Sequence, residues 1–167
     1  MQKPLIFAFQ DDGLVPNNTL PFLIYKGVFA GDACDETALE RLFKDNGWSQ
    51  DIWRDGIFDY THYHATVHEV LGVARGHARV RFGGDRGETL TLEPGDVAIL
   101  PAGTGHRCLE TSDDFSVVGA YPPGDTMQVT RPTPDDHRRA LQTIPMVPRP
   151  QSDPVHGRNG ALMQLWR

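Results

Sequence analysis

Between residues 60 and 121 the chain contains six short segments typical of β-strands, each four to six residues long and separated by turn residues. The six segments are Glu69–Ala74, His77–Phe82, Thr89–Leu92, Val97–Leu100, His106–Thr111 and Phe115–Ala120. Gly, Pro or Asp stands in the gaps, as in GGDRG at 83–87 and EPGD at 93–96. Short strands at this spacing predict an antiparallel β-sandwich or a small barrel, because helices need longer uninterrupted segments.

The first 55 residues add two more short strands and one helix. The strands are predicted at Leu5–Phe9 and Phe22–Tyr25, with turn residues between them. The helix is predicted to begin after Asp35, whose carboxylate can cap it, and to end at Asn46 and Gly47. Its apolar stripe consists of Ala38, Leu39, Leu42 and Phe43. Two tryptophans are expected to pack this segment on the barrel or, alternatively, to form an aromatic pocket wall: Trp48 and Trp53.

The segment after Tyr121 holds eight of the 13 prolines. One helix is predicted there, over Pro134–Ile144, with Thr133 as its cap. We expect the rest to form an extended arm on the barrel surface, held near its end by Leu162, Leu165 and Trp166, with a disordered tail as the alternative. One domain is therefore expected over 1–167, comprising an N-terminal segment (1–55), a barrel core (56–121) and a C-terminal arm (122–167).

Charge and composition exclude several classes of protein. The net charge is −6, from 16 basic and 22 acidic residues without a basic run, so a nucleic-acid partner is not expected. The longest apolar runs are far shorter than the roughly 20 residues that cross a bilayer, and no signal peptide is recognised. Two cysteines are too few for a disulfide scaffold. These features predict a cytoplasmic protein without a membrane partner.

Five of the seven histidines lie between His62 and His106. His62 and His64 are two residues apart and share one face of a strand. Glu69 follows five residues later, and His106 comes directly after the turn PAGTG. Imidazole and carboxylate groups suit a borderline divalent metal. A His-x-His pair by itself is more often a surface coincidence than a metal site.

Two spacing patterns in this region resemble the two motifs of the cupin superfamily. The pattern G-x5-H-x-H-x4-E-x6-G is matched by Gly56, His62, His64, Glu69 and Gly76. The pattern G-x5-P-x-G-x2-H is matched by Gly95, Pro101, Gly103 and His106. The Asn that commonly follows this second motif is replaced by Glu110. Outside the motifs, DDGLVPNN, NGW, WRDGI, HYHATVHEVLGV, LPAGTGH and VVGAYPPG resemble the small bacterial cupins often labelled YjlB-like.

The resemblance implies a mainly β fold: a single cupin-type (jelly-roll) β-barrel with an N-terminal helix and an extended C-terminal arm. It implies one divalent transition metal (Fe, Mn, Ni or Zn) inside the barrel, with the ligands His62, His64, Glu69 and His106. Ligands on different strands are held in place by the hydrogen-bonded ladder. The resemblance also points to a homodimer, and the expected substrate is a small polar molecule.

The identity of the carboxylate ligand depends on the path of the chain through Ala65–Val67. On an unbroken strand, His68 would share the face of His62 and His64, and Glu69 would point the other way. The family motif requires a bend here, so Glu69 is the expected ligand. His68 is the rival ligand, a residue that supports the ligands from behind, or an exposed or hydrogen-bonded loop residue.

The alternation of side chains between the two faces of a strand also predicts catalytic residues. If the side chain of His106 points into the barrel, then those of Cys108 and Glu110 do so too, because alternate residues of a strand share a face. By the same alternation, Tyr60 points to the same side as His62. Glu110 is predicted to bind substrate or act as a general base, with a salt bridge at the barrel rim as the alternative. Tyr60 is the second catalytic candidate. Cys108 is expected to be a small buried apolar residue, the alternative being a thiolate close to the metal.

Three imidazoles and one carboxylate leave positions open on a six-coordinate ion, where an oxygen-bearing substrate or dioxygen can bind. The chain is therefore predicted to be a metal-dependent enzyme, either an oxygenase or a redox-neutral isomerase or lyase. The first alternative is a non-catalytic module that binds a small ligand or a metal, which a saturated site without a pocket would favour. The second is a structural homodimer whose arm swaps onto its partner.

Overall fold

Nine strands form two antiparallel sheets in the computed structural model, which describes residues 1–167. The strands are β1 (Leu5–Phe7), β2 (Phe22–Tyr25), β3 (Gln50–Asp55), β4 (Glu69–Arg75), β5 (Ala78–Phe82), β6 (Glu88–Leu92), β7 (Val97–Leu100), β8 (His106–Thr111) and β9 (Ser116–Tyr121). The large sheet has the order β1-β2-β7-β4-β9-β3, and the small sheet has the order β6-β5-β8. The predicted mainly β, jelly-roll fold is confirmed.

The helices are short, and the two that were predicted begin at their predicted caps. They are α1 (Glu36–Asp45), α2 (Pro134–Thr143) and α3 (Leu162–Leu165), with 3-10 turns at Gly31–Ala33 and Ile144–Met146. Asp35 accepts the backbone N–H of Ala38 at 2.7 Å, and Thr133 accepts that of Asp136 at 3.2 Å. Both caps satisfy N–H groups that the first helical turn leaves without partners. None of the helices combines the length and the apolar character that crossing a bilayer requires.

The large sheet is covered on both faces, which explains why every residue of β2 and β7 is apolar and buried. Its inner face packs against the small sheet in a cluster that includes Phe22, Leu71 and Phe82. Its outer face packs against α1 and the C-terminal arm. Gly72 lets the helix approach, since a Cβ there would lie 2.7 Å from the side chain of Leu39.

The C-terminal arm is pinned to the outer face by a buried carboxylate. Asp153 accepts the hydroxyl of Tyr25 at 2.6 Å, together with the backbone N–H groups of Val155, His156 and Leu162. Burial and the neighbouring Asp153 raise the pKa of the Tyr25 hydroxyl. The indole of Trp166 also donates to the carbonyl of Pro21 at 2.8 Å. The arm is thus ordered and packed on its own chain, so the expectation of a packed arm is confirmed over that of a disordered tail.

Strand β3, at the edge of the large sheet, was not predicted from the sequence. The alternation of its side chains between the two faces of the sheet is interrupted by a bulge between Gln50 and Trp53, where Asp51 takes a positive φ of 48°. Trp53 pairs with Gly119 of β9. A Cβ on Gly119 would lie 2.1 Å from the Trp53 indole, so only glycine leaves room for that ring.

Candidate metal centre

Four of the predicted site residues meet between the two sheets. His62 and His106 are bridge partners, joined by backbone hydrogen bonds of 3.2 and 2.9 Å. After His64 the chain bends at residues 65 and 66, and β4 begins at Glu69. The bend interrupts the alternation, so that Glu69 turns toward the three imidazoles instead of away from them. The bend that the family motif requires is therefore present.

The side chains of these four residues lie at separations that suit a common ion. The nitrogens that His62, His64 and His106 offer lie within 4.8 Å of one another, and all three residues are buried. Glu69 Oε2 is 3.3 Å from His64 Nε2, and Glu69 Oε1 is 3.4 Å from His106 Nε2. Two ligands on one ion with bonds of about 2.1 Å are themselves about 3.0–3.4 Å apart. The separation of Glu69 Oε1 from His106 Nε2 lies at the upper end of this range.

Backbone carbonyls determine which nitrogen of each imidazole is free. The Nδ1 of His62 contacts the carbonyl of Tyr60 at 3.2 Å, that of His64 the carbonyl of Gln128 at 2.8 Å, and that of His106 the carbonyl of Thr104 at 3.0 Å. A carbonyl oxygen only accepts, so each Nδ1 carries the proton and donates it. Each neutral ring therefore presents the lone pair of its Nε2, which is the form that binds a metal.

Glu69 adds a carboxylate to the three imidazoles. Its Oε1 is buried and has no hydrogen-bond partner, while its Oε2 accepts the hydroxyl of Tyr121 at 2.7 Å. Carboxylate oxygens facing imidazole lone pairs repel one another unless a proton or a metal ion lies between them. This arrangement fits a divalent transition metal.

The pKa values of the buried groups depend on which neighbour each one faces. Burial and the neighbouring His106 lower the pKa of His62 to about 3. Burial also opposes charge on His64, but the carboxylate of Glu69 outweighs it and raises the pKa of that ring. Burial likewise opposes the ionisation of Glu69, but His64 and His106 outweigh it and hold the pKa of the carboxyl well below its usual range.

The four side chains lie at the floor of a cavity of about 480 Å³. Most of its wall residues are apolar: Trp53, Ile57, Phe58, Leu71, Met127 and Val129. Three exposed charged residues, Asp51, Arg54 and Asp55, also line it. Phe58 and Val129 are 50% and 42% exposed, so the cavity is open to solvent. Residues 127–129 of the C-terminal arm form one wall and also supply the Gln128 carbonyl that orients His64.

His68 lies outside this cavity. Its Nδ1 accepts the backbone N–H of Ala102 at 2.9 Å, and its Nε2 contacts the carbonyl of Pro148 at 3.2 Å. The ring also packs against Trp166, with centroids 4.9 Å apart. Burial lowers its pKa to about 4. Both nitrogens are therefore engaged, and of the roles considered for His68 the structure shows that of a hydrogen-bonded residue.

Glu110 does not point inward, and that expectation is wrong. Val80 pairs with Cys108 whereas Arg79 pairs with Glu110, so Leu109 is an extra residue in β8. This bulge reverses the alternation after Cys108. The side chain of Glu110 is 68% exposed and binds Arg79 at 2.9 Å, as in the rim salt bridge considered from the sequence.

Cys108 and Tyr60 take different positions relative to the centre. Cys108 is buried in the inner core, and burial raises the pKa of its thiol, as expected for a small apolar residue. Tyr60 stacks on Phe58 and lies beneath the guanidinium of Arg131, which is 3.7 Å from the centre of its ring. The phenol does not line the cavity. Tyr60 contacts His62 through its backbone carbonyl, which accepts from Nδ1, and through its ring, whose centroid lies 5.7 Å from that of the imidazole.

Tyr121 is a cavity residue that the sequence did not indicate. The register that pairs Val70 with Ala120 places Tyr121 opposite Glu69, but cross-strand register is not visible in a single sequence. The indole of Trp53 in turn donates to the Tyr121 hydroxyl at 2.9 Å. Of the two tryptophans considered above, Trp53 thus forms a cavity wall, while Trp48 is fully buried in the outer core.

Comparison with known proteins agrees with the motif spacing. A family model described as a cupin domain matches residues 52–118. The protein YjlB of Bacillus subtilis (strain 168), itself described as uncharacterised, is 36% identical over 162 residues, which cover 96% of this chain and 94% of that protein. The chain belongs to the cupin family.

Solved structures resemble this cupin at a greater distance. The acireductone dioxygenase of Bacillus anthracis, with a cadmium ion in its active centre, is 16% identical over 64% of this chain and 82% of its own, with a TM-score of 0.39. Procruciferin, an 11S globulin of Brassica napus, is 18% identical over 56% of this chain and 30% of its own, with a TM-score of 0.40. Likeness at this level says nothing about what this cupin binds or does.

Proposed function

We propose that this cupin is a metal-dependent enzyme acting on a small molecule, with one divalent ion (Fe, Mn, Ni or Zn) held by His62, His64, Glu69 and His106. The observation that carries the proposal is the convergence of three free Nε2 atoms and one unpartnered carboxylate oxygen at the floor of an open cavity. All four side chains are buried, and their hydrogen bonds orient them for this role.

The cavity indicates the kind of molecule that this site takes. A bound divalent ion polarises an oxygen-bearing group or binds dioxygen. The apolar part of the walls favours a substrate whose remaining part is apolar. The expected small polar substrate is therefore refined to a molecule with an oxygen-bearing head and an apolar body. Oxygenase chemistry and isomerase or lyase chemistry share this binding step.

The opening of the cavity favours an enzyme over a module in which the ion only stabilises the fold. An ion of that structural kind is enclosed by protein ligands and has no need of a solvent-connected space. Here the space above the four side chains is open to solvent, and its lining residues Phe58 and Val129 are exposed.

We include a homodimer and a cytoplasmic location in the proposal. Strand β1 is at the edge of the large sheet, and its residues Leu5 and Ile6 are 52% and 51% exposed. An open edge with apolar side chains is suited to pairing with a second copy. Both cysteines, Cys34 and Cys108, are free thiols, in keeping with a reducing compartment.

The test is metal analysis of protein purified without a metal-affinity column, followed by turnover assays. We expect about one divalent ion per chain in the wild type and none in a His62→Ala, His106→Ala double variant. A Glu110→Gln variant is the matched control, since that carboxylate lies outside the cavity. Consumption of dioxygen with candidate substrates separates oxygenase from isomerase or lyase chemistry. Wild-type protein that neither contains nor binds a divalent ion would refute the proposal.

A further inference from the structure

We propose that Tyr121 is a positioning residue that restricts Glu69 to a single ligand oxygen, and that Trp53 sets the direction of the Tyr121 hydroxyl. The inference rests on the metal site proposed above. It adds a statement of how many coordination positions on the ion are left for a substrate. It is carried by a chain of contacts that runs from β3 through β9 to the first residue of β4.

The two oxygens of Glu69 are in different environments. Tyr121 is fully buried and donates its hydroxyl to Oε2 at 2.7 Å, while Oε1 has no hydrogen-bond partner. A hydrogen-bond donor and a metal ion compete for the same carboxylate lone pairs. The oxygen that the phenol already binds is therefore the poorer ligand, and Oε1 is the one left to coordinate the ion.

Trp53 determines where the phenol proton goes. An indole N–H can only donate, and it points at the Tyr121 oxygen at a distance of 2.9 Å. The phenol oxygen thus accepts from Trp53, and its single proton is left for Glu69. The indole itself is held against Gly119, where any side chain would collide with it. The direction of the hydrogen bond to Glu69 is consequently built into the pairing of β3 with β9.

The consequence concerns the substrate. With three imidazoles and one oxygen of Glu69, a six-coordinate ion keeps two open positions, whereas a carboxylate bound through both oxygens would leave one. Holding Glu69 to one oxygen therefore lets a substrate head bind through two neighbouring oxygen atoms. The inferred substrate class is a molecule with such a two-oxygen head and the apolar body that the cavity walls accommodate.

The experiment compares wild type, Tyr121→Phe and Trp53→Phe, each loaded with Co²⁺. Tyr63→Phe is the matched control, because it removes a buried phenol oxygen that has no partner and lies in a separate cluster beside α2. Each protein is titrated with acetohydroxamate, which chelates through two oxygens, and with azide, which binds through one atom. The visible spectrum of Co²⁺ reports its coordination in each case.

We expect acetohydroxamate to bind Tyr121→Phe about tenfold or more weakly than it binds wild type, with little change for azide and an altered cobalt spectrum. Trp53→Phe is expected to shift in the same direction, and Tyr63→Phe to match wild type. Wild type that fails to bind Co²⁺ would overturn the metal site itself. Cobalt-loaded Tyr121→Phe that matches wild type, or a folded Tyr121→Phe that cannot bind Co²⁺, would overturn the positioning role alone.

Discussion

Glu69 and His68 are neighbours in the chain, yet their side chains serve different parts of the molecule. Glu69 faces the three imidazoles between the sheets, and His68 packs against Trp166 of the C-terminal arm. One residue therefore completes the candidate metal centre, while the other joins the arm to the large sheet. Because they are adjacent and both buried, they form a matched pair for experiments.

Glu69→Ala is expected to weaken metal binding at least about tenfold, because it removes the only anionic ligand of the ion. His68→Asn is expected to leave the affinity nearly unchanged, since neither nitrogen of His68 faces the cavity. Titration of both variants with the same divalent ion tests this. The opposite result, with the ion lost from His68→Asn and retained by Glu69→Ala, would show that the ligand set is wrong.

Metal affinity is expected to fall as the solution becomes acidic, beginning above pH 6.5. Glu69 raises the pKa of His64 above its ordinary 6.5, so a proton on this ring competes with the ion already near neutral pH. His62, whose pKa is about 3, does not compete in this range. Calorimetry in buffers of different ionisation enthalpy should detect proton release on metal binding at pH 7. Occupancy that stays constant from neutral to mildly acidic pH would contradict a histidine site.

His68 is expected to make the fold less stable in acid. Its pKa is lowered from 6.5 to about 4, so below pH 6.5 the unfolded chain binds a proton that the folded chain does not. The free energy of unfolding therefore falls as the pH is lowered across this window, by about 1.5 kcal/mol between pH 6.5 and pH 5. His68→Asn keeps an acceptor for Ala102 but does not titrate. Urea unfolding of the metal-free proteins at both pH values should show a weaker pH dependence for this variant.

Asp153→Ala is expected to destabilise the fold by about 3 kcal/mol or more, because it leaves several buried donors without an acceptor. Tyr25→Phe removes one of these donors together with its bond and should cost less. Asp85→Ala, on the exposed loop between β5 and β6, is the control and should change stability little. Thermal and urea unfolding measure all three. An Asp153→Ala protein as stable as the control would show that the arm does not depend on this carboxylate.

The proposed dimer predicts that Ile6→Lys gives a monomer. A charge on β1 opposes pairing of this edge with a second copy, while the side chain is exposed within one chain and tolerates the change. Light scattering at micromolar concentration compares the variant with wild type. A monomeric wild type would refute the dimer, and a dimeric Ile6→Lys would place the interface elsewhere.

Local patterns in the sequence were sufficient for the features that depend on neighbouring residues. The caps at Asp35 and Thr133 are contacts within one helical turn, so a short window reveals them. The succession of short strand-like segments and turns predicted the sheets, because side chains that alternate along a strand bury one of its faces. The spacing of two motifs also selected the four side chains that meet in the cavity, His62, His64, Glu69 and His106.

The tertiary structure decided what depends on pairing between distant segments. A bulge at Leu109 directs the side chain of Glu110 away from the cavity, and no residue type in that segment indicates a bulge. The register of β4 with β9 placed Tyr121 beside Glu69, and the pairing of β3 with β9 placed Trp53 beside Tyr121. Register depends on the fit of whole strands, which residue types along one strand do not specify. The sequence by itself thus determined which groups could bind a metal, and the tertiary structure decided how they are oriented.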